Sequence, residues 1–140
     1  MIARPGLAQA AVLLATATLS ACAATPPRAP ALTINGLEIE NRSRSTVNAV
    51  TLMVAATGAF VSCGHIPPAG RCATGFPERV FSGNPVELSW RQSGQDWSTG
   101  AMGLNISDEV LAAGMAEVRV VIMAPGSAGV LLVPAKPPPP

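Results

Sequence analysis

Short runs in which apolar and polar residues alternate constrain this chain more than any other feature. Leu32 and Ile34 share one parity, and Leu37 and Ile39 share the other. The switch falls at Asn35-Gly36. A glycine-containing β-bulge there returns all four side chains to one face, because a one-residue shift flips every side chain of a strand. A tight hairpin at Asn-Gly is the competing reading, although the arm before it is short. Asn41-Arg42-Ser43-Arg44-Ser45-Thr46 then reads as a polar turn. Val50, Leu52 and Val54 alternate beyond it, which predicts a second strand over about residues 47–56.

Two hairpins follow from the same periodicity. Val86, Leu88 and Trp90 face one way, while Glu87, Ser89 and Arg91 face the other. Ser93-Gly94 suits a two-residue turn, since glycine accepts positive φ. That turn sets Gln92 opposite Gln95, Arg91 opposite Asp96, and Trp90 opposite Trp97. Cross-strand pairs of these kinds contribute roughly 0.2–1 kcal/mol each. Val118, Val120 and Ile122 open the last hairpin, residues 125–129 turn it, and Val130–Val133 return; its partly two-faced apolar flanks predict a central position. Between the hairpins, Ser107 or Asp108 caps one or two helical turns that Gly114 ends. The pattern predicts a mainly β domain over residues 32–134. Its expected form is a small immunoglobulin-like sandwich of about seven strands with at most one short helix.

The N-terminus is of a different kind. Arg4 is the only charged residue in the first 27, and an apolar run from Leu7 to Leu19 follows it. A basic start, a short apolar stretch and small residues at its end describe a secretory signal peptide. The run is too short for a bilayer span, which needs about 20 residues. At its end, Leu19-Ser20-Ala21-Cys22 resembles the bacterial lipobox. That resemblance implies a diacylglycerol thioether on Cys22, cleavage before it, and acylation (palmitate) of the new amino terminus. In the Gram-negative sorting pattern, Ala23 rather than Asp after the lipidated cysteine implies the outer membrane, with the domain facing the periplasm. The expected partition is a signal peptide over 1–21, then Cys22 and a Pro-rich tether to residue 31. The domain follows, and residues 135–140 form a Pro-rich, polyproline II tail.

Removing residues 1–21 leaves 119 of 140 residues, one domain's worth. That part holds eight basic and eight acidic residues. No basic patch stands out, which argues against nucleic acid as a partner. The chain has three cysteines. With Cys22 assigned to lipid, Cys63 and Cys72 remain as a pair in an oxidising compartment, where a pair is expected to be bridged. Closing a loop of about 10 residues contributes roughly 2.7 kcal/mol on the chain-entropy estimate.

Few residues offer chemistry. His65 is the single histidine and lies between the two cysteines. A metal site around it needs Cys63 and Cys72 reduced, or soft donors from Met53, Met102, Met115 and Met123; neither a Met-x-x-Met nor a His-x-His cluster occurs. Nucleophilic catalysis needs a base beside the nucleophile, and no Gly-x-Ser-x-Gly accompanies His65. Glu87, Asp96, Asp108 and Glu109 are the carboxylates available for glycosidic chemistry; Glu87 is placed outward and Asp96 opposite Arg91, both structural positions. Trp90 and Trp97 read as core if they face inward with Val86 and Leu88. At a sheet edge they become a platform for sugar rings, peptidoglycan among them, or for a protein. The outer-envelope lysozyme inhibitors carry Ser-Gly-x-x-Tyr; here Ser82-Gly83-Asn84-Pro85 leads to Val86, and the chain has no tyrosine. The expectation is a lipid-anchored, non-catalytic binding or structural module without a cofactor or metal, whose partner is the membrane lipid together with an envelope protein or peptidoglycan. Metal handling at His65 and cell-wall binding by Trp90 and Trp97 are the alternatives.

Overall fold

A computed structural model describes residues 31–136 and residue 140. The signal segment, Cys22 and the tether lie outside the described residues, as does most of the C-terminal tail. Among the described residues, nine strands and one helix form. They are β1 (Leu32–Asn41), β2 (Val47–Val54), β3 (Phe60–Ile66), β4 (Arg71–Thr74), β5 (Val80–Phe81), β6 (Val86–Gln92), β7 (Gln95–Met102), α1 (Asp108–Ala113), β8 (Met115–Ala124) and β9 (Ser127–Pro134). One sheet runs β4-β1-β8-β9, with β5 also paired to β1; the other runs β3-β2-β6-β7. The two make a β-sandwich. The strand number rises from the seven or so expected because β4 and β5, of four and two residues, are short segments added along one side of β1.

The bulge, the β6–β7 register and the helix caps are as expected. Against β8 the register of β1 shifts between Ile34 and Gly36, and Leu32, Ile34, Leu37 and Ile39 are all at most 2% exposed. The bulge thus gives β1 one inward face along its whole length. β2 stops at Val54, two residues short of the expected end, because Thr57 and Gly58 both donate to Val54 O and turn the chain. The β6–β7 hairpin pairs Gln92 with Gln95, Arg91 with Asp96 and Trp90 with Trp97. Its turn residues Ser93 and Gly94 have φ of 53° and 75°, the left-handed pair that a type I′ turn requires. In α1 the Ser107 hydroxyl accepts from Val110 N–H, and Gly114 closes the helix at φ 69°.

Two features depart from the sequence reading, and a third lay outside it. The third is that β1 pairs in parallel with β8, a neighbour that alternation alone does not name. The last turn is tighter than expected: β9 begins at Ser127, with Ala124 opposite it. β8 is central, between β1 and β9, whereas β9 is an edge strand. The tight turn has a packing reason. A Cβ on Gly126 would sit 2.7 Å from Trp97 Cζ3, so the indole of one sheet lies flush against the turn of the other.

Between the sheets lies an apolar core. Val47, Val50, Leu52, Val86, Leu88, Val118, Val120 and Ile122 are wholly buried, each contributing about 1.5–3 kcal/mol by leaving water. At one end the core becomes polar. Asn41 continues the inward parity of Ile39 and is fully buried, as is Gln92. Asn41 Nδ2 donates to Ser45 O (2.8 Å) and Ile66 O (2.9 Å), and its Oδ1 accepts from the Ser43 amide and hydroxyl. Gln92 Nε2 donates to the Ser43 and Ser45 hydroxyls, and its Oε1 accepts from Trp90 Nε1 at 3.1 Å. The turn at residues 42–46, which carries the chain from one sheet to the other, is thereby fastened to both. Asn41→Ala strands several of these buried groups, each worth about 1–3 kcal/mol when unsatisfied. A loss of about 2–4 kcal/mol is expected in urea unfolding, against a surface-like change below about 0.5 kcal/mol for Arg44→Ala.

Candidate binding surface

The disulfide is present. Cys63 on β3 is joined to Cys72 on β4, with Cα atoms 6.4 Å apart. Because β3 and β4 belong to different sheets, the bond closes one side of the sandwich covalently. Within the loop it bounds, Gly70 N donates to Pro67 O, Ala69 N donates to Asn41 O, and Asn41 N donates to Gly70 O. The loop is therefore laid against the main chain of the same Asn41 that organises the polar end of the core.

The outer face of the β2 sheet carries His65, Glu87 and Asp96 of the residues singled out in the sequence. His65 is exposed and stands opposite Asn48, Asn48 opposite Arg91, and Arg91 opposite Asp96. One cross-strand row thus holds all four, but His65 and Asp96 are three strand spacings apart, about 14 Å, too far for a dyad. Asp96 pairs with Arg91 at 3.6 Å, as the register implied. Glu87 accepts from the Ser98 hydroxyl. Asp108 and Glu109 lie in the first turn of α1, near the positive end of its dipole. Both thiols that a His65 metal site would draw on are bridged, and among the described residues no three His, Cys, Asp or Glu side chains gather to hold an ion. Ser62, Thr51, Ser89 and Ser98 form the next row. Trp90 points the other way and is 3% exposed. Trp97 is half-buried, packed against the core and Gly126, with its Nε1 buried and without a hydrogen-bond partner.

A different surface concentrates charge. On the outer face of the β1 sheet, Glu38 and Glu40 of β1 stand between Arg71 of β4 and Arg119 of β8. Arg71 bridges both carboxylates, at 3.6 Å to Glu38 and 3.5 Å to Glu40, and Arg42 holds Glu40 at 3.1 Å. Arg119 Nε is 4.0 Å from Glu38 and makes no hydrogen bond. With Glu117 and Lys136 these residues line a shallow groove of about 480 Å³. The signal for it was partial: Glu38 and Glu40 visibly alternate outward, but Arg71 and Arg119 arrive through pairings that join distant segments.

No protein-family model matches the chain, and no curated protein does. Among solved structures, an NMR structure of a protein from Eubacterium rectale matches at 8% identity, covering 81% of this chain and 96% of that one, with a TM-score of 0.42.

Two outcomes are expected. Replacing both Cys63 and Cys72 by Ala removes the staple at a cost of about 2.7 kcal/mol, a fall of roughly 10–20 °C in the unfolding midpoint by calorimetry. The second concerns Glu40. The hydrogen bond from Arg42 holds its carboxyl below the ordinary glutamate range, partial desolvation opposes this, and the charges of Arg42, Arg71 and Arg119 add to the lowering. Since the folded value lies below the unfolded one, the stabilisation is complete above the ordinary glutamate range and is lost as pH falls through the lowered value. NMR titration should show Glu40 rising toward the ordinary value in Arg42→Gln. An unmoved titration would remove Arg42 as the cause.

Proposed function

We propose that this chain is a lipid-anchored protein of the cell envelope and a non-catalytic binding or structural module, held at the outer membrane and facing the periplasm. The observation that carries the reading is the Cys63–Cys72 bridge. It uses both cysteines of the folded domain and belongs to an oxidising compartment. That leaves Cys22, at the end of an apolar signal-like segment, as the single cysteine for the lipid. Exported and bridged, the domain would reach its surroundings through a Pro-rich tether rather than through a membrane-crossing element; among the described residues no helix is long and apolar enough to cross.

The non-catalytic part rests on how the polar residues are employed. Asn41, Ser43, Ser45 and Gln92 satisfy one another and the main chain. Glu87 and Asp96 are engaged by Ser98 and Arg91. What remains available to a partner is surface: the mixed-charge groove of the β1 sheet and the polar rows of the β2 sheet. A groove carrying both signs suits a partner that itself carries both, such as an envelope protein or the peptide portion of peptidoglycan.

Fractionation with mass spectrometry tests the anchor. The processed protein should partition with outer-membrane vesicles and carry a diacylglycerol and an acyl mass on Cys22. Cys22→Ser should lose both the added mass and the membrane association. If Cys22→Ser stayed in the membrane fraction with an unmodified mass, the lipid anchor would be wrong.

A further inference from the structure

Glu38, Glu40 and Glu117 are the carboxylates on the outer face of the β1 sheet, and they are not held alike. Arg71 takes Glu38 and Glu40, and Arg42 takes Glu40. Among the described residues Glu117 enters no ion pair. Its cross-strand neighbours give the reason: Gly36 on β1 and Val133 on β9 carry no charge. The β1 bulge sets a glycine in that place, and a glycine leaves open space. A dent of about 200 Å³ lies there, with Gly36, Glu38, Thr74 and Glu117 in its wall and no arginine or lysine. It shares Glu38 and Glu117 with the charged groove. In the groove Arg119 is the complementary case. Its Nε is 4.0 Å from a Glu38 that Arg71 already holds, and it makes no hydrogen bond. Glu117 and Arg119 are two residues apart on β8, both half-buried and outward, so their side chains leave the strand about 6.6 Å apart.

We propose that the dent and this pair bind a short zwitterionic peptide, about a dipeptide long, with its free ammonium over Gly36 against Glu117 and its free carboxylate on Arg119. The proposal rests on the reading of the charged groove as a recognition surface and names the ligand for it. Charge selects that class. Once the internal ion pairs are formed, one carboxylate without a cation and one guanidinium without a hydrogen bond remain, so the complement carries one ammonium and one carboxylate. A carboxylate set against a guanidinium makes the stronger, charge-assisted kind of hydrogen bond. Spacing selects the length. Two extended residues reach about 7 Å, which matches the Glu117–Arg119 separation, and one residue reaches about half of that. The surroundings select the side chains: beside Glu117 stand Gly36, Val133 and Pro134, which suit small apolar groups. A divalent cation fits less well, because two carboxylates line the dent and among the described residues no three His, Cys, Asp or Glu side chains gather.

Titration of the full processed protein in detergent micelles with alanylalanine, followed by amide NMR at low salt, tests this. Saturable shifts at Gly36, Glu117 and Arg119 are expected, with a Kd of about 1 mM. N-acetyl-alanylalanine lacks the ammonium and alanylalanine amide lacks the carboxylate. Each should bind about fivefold more weakly. Glu117→Gln should abolish the preference for the free ammonium alone, and Arg119→Gln the preference for the free carboxylate alone, a split that a loss of folding would not produce. Arg44→Gln, outside the groove, should leave the Kd unchanged. No saturable shift up to about 20 mM dipeptide, or equal binding of both blocked forms, would overturn the proposal. Either result leaves the anchored envelope module standing, since that reading falls on the Cys22→Ser fractionation instead.

Discussion

One buried asparagine holds the architecture together. Asn41 sits where the chain leaves the β1 sheet for the β2 sheet, at an inward position that an apolar residue would otherwise take. Its side chain grips the crossing turn and the end of β3, and its main chain pairs with the loop inside the disulfide. Gln92 extends the network through Ser43 to Trp90. Buried amides of this kind are destabilising unless satisfied. With their partners in place they specify one crossing geometry, since a slipped turn would leave several of them bare. The placement of β1 and β2 in opposite sheets, and with it the inward face of both, depends on that geometry.

The two long sides of the sandwich are closed by different means. On one, the Cys63–Cys72 bond spans β3 and β4. On the other, Trp97 of β7 packs against Gly126 in the β8–β9 turn. The first closure removes freedom from the unfolded chain. The second works through close packing, which tolerates no added methyl group at Gly126 without rearrangement. The aromatic pair is thus committed to the fold. The surfaces left for recognition are the charged groove of the β1 sheet and the polar rows of the β2 sheet.

The contrast between the outer faces has a functional consequence. The β2 sheet presents hydroxyls and a row of alternating polar groups, ordinary solvated surface. The β1 sheet carries its ionic groups over β4, β1 and the Glu117–Arg119 stretch of β8, and its exposed apolar groups at Leu131 of β9 and at Met115 and Met123 near the ends of β8. Apolar groups beside opposite charges are the composition of a contact surface. The proposed binding role has its best-suited surface on this sheet.

Alternation and turn chemistry, both local, determined much of this protein from the sequence alone. Asn35-Gly36 announced the bulge because four apolar residues needed one face. Ser93-Gly94 set the Trp90–Trp97 and Arg91–Asp96 pairs because a two-residue turn leaves a single register. Ser107 and Gly114 marked both ends of α1, and the cysteine count named the bridge. Tertiary structure alone decided that β1 lies parallel to β8, that β9 is an edge, that Asn41 meets Gln92, and that Arg71 and Arg119 flank Glu38 and Glu40. Each of these joins segments tens of residues apart. Alternation states that a strand has an inward face; it does not state which neighbour it pairs with, because any strand of matching pattern offers the same hydrogen bonds. Burying all the inward faces at once, with every buried amide satisfied, selects one arrangement, and that condition belongs to the whole chain rather than to any stretch of it.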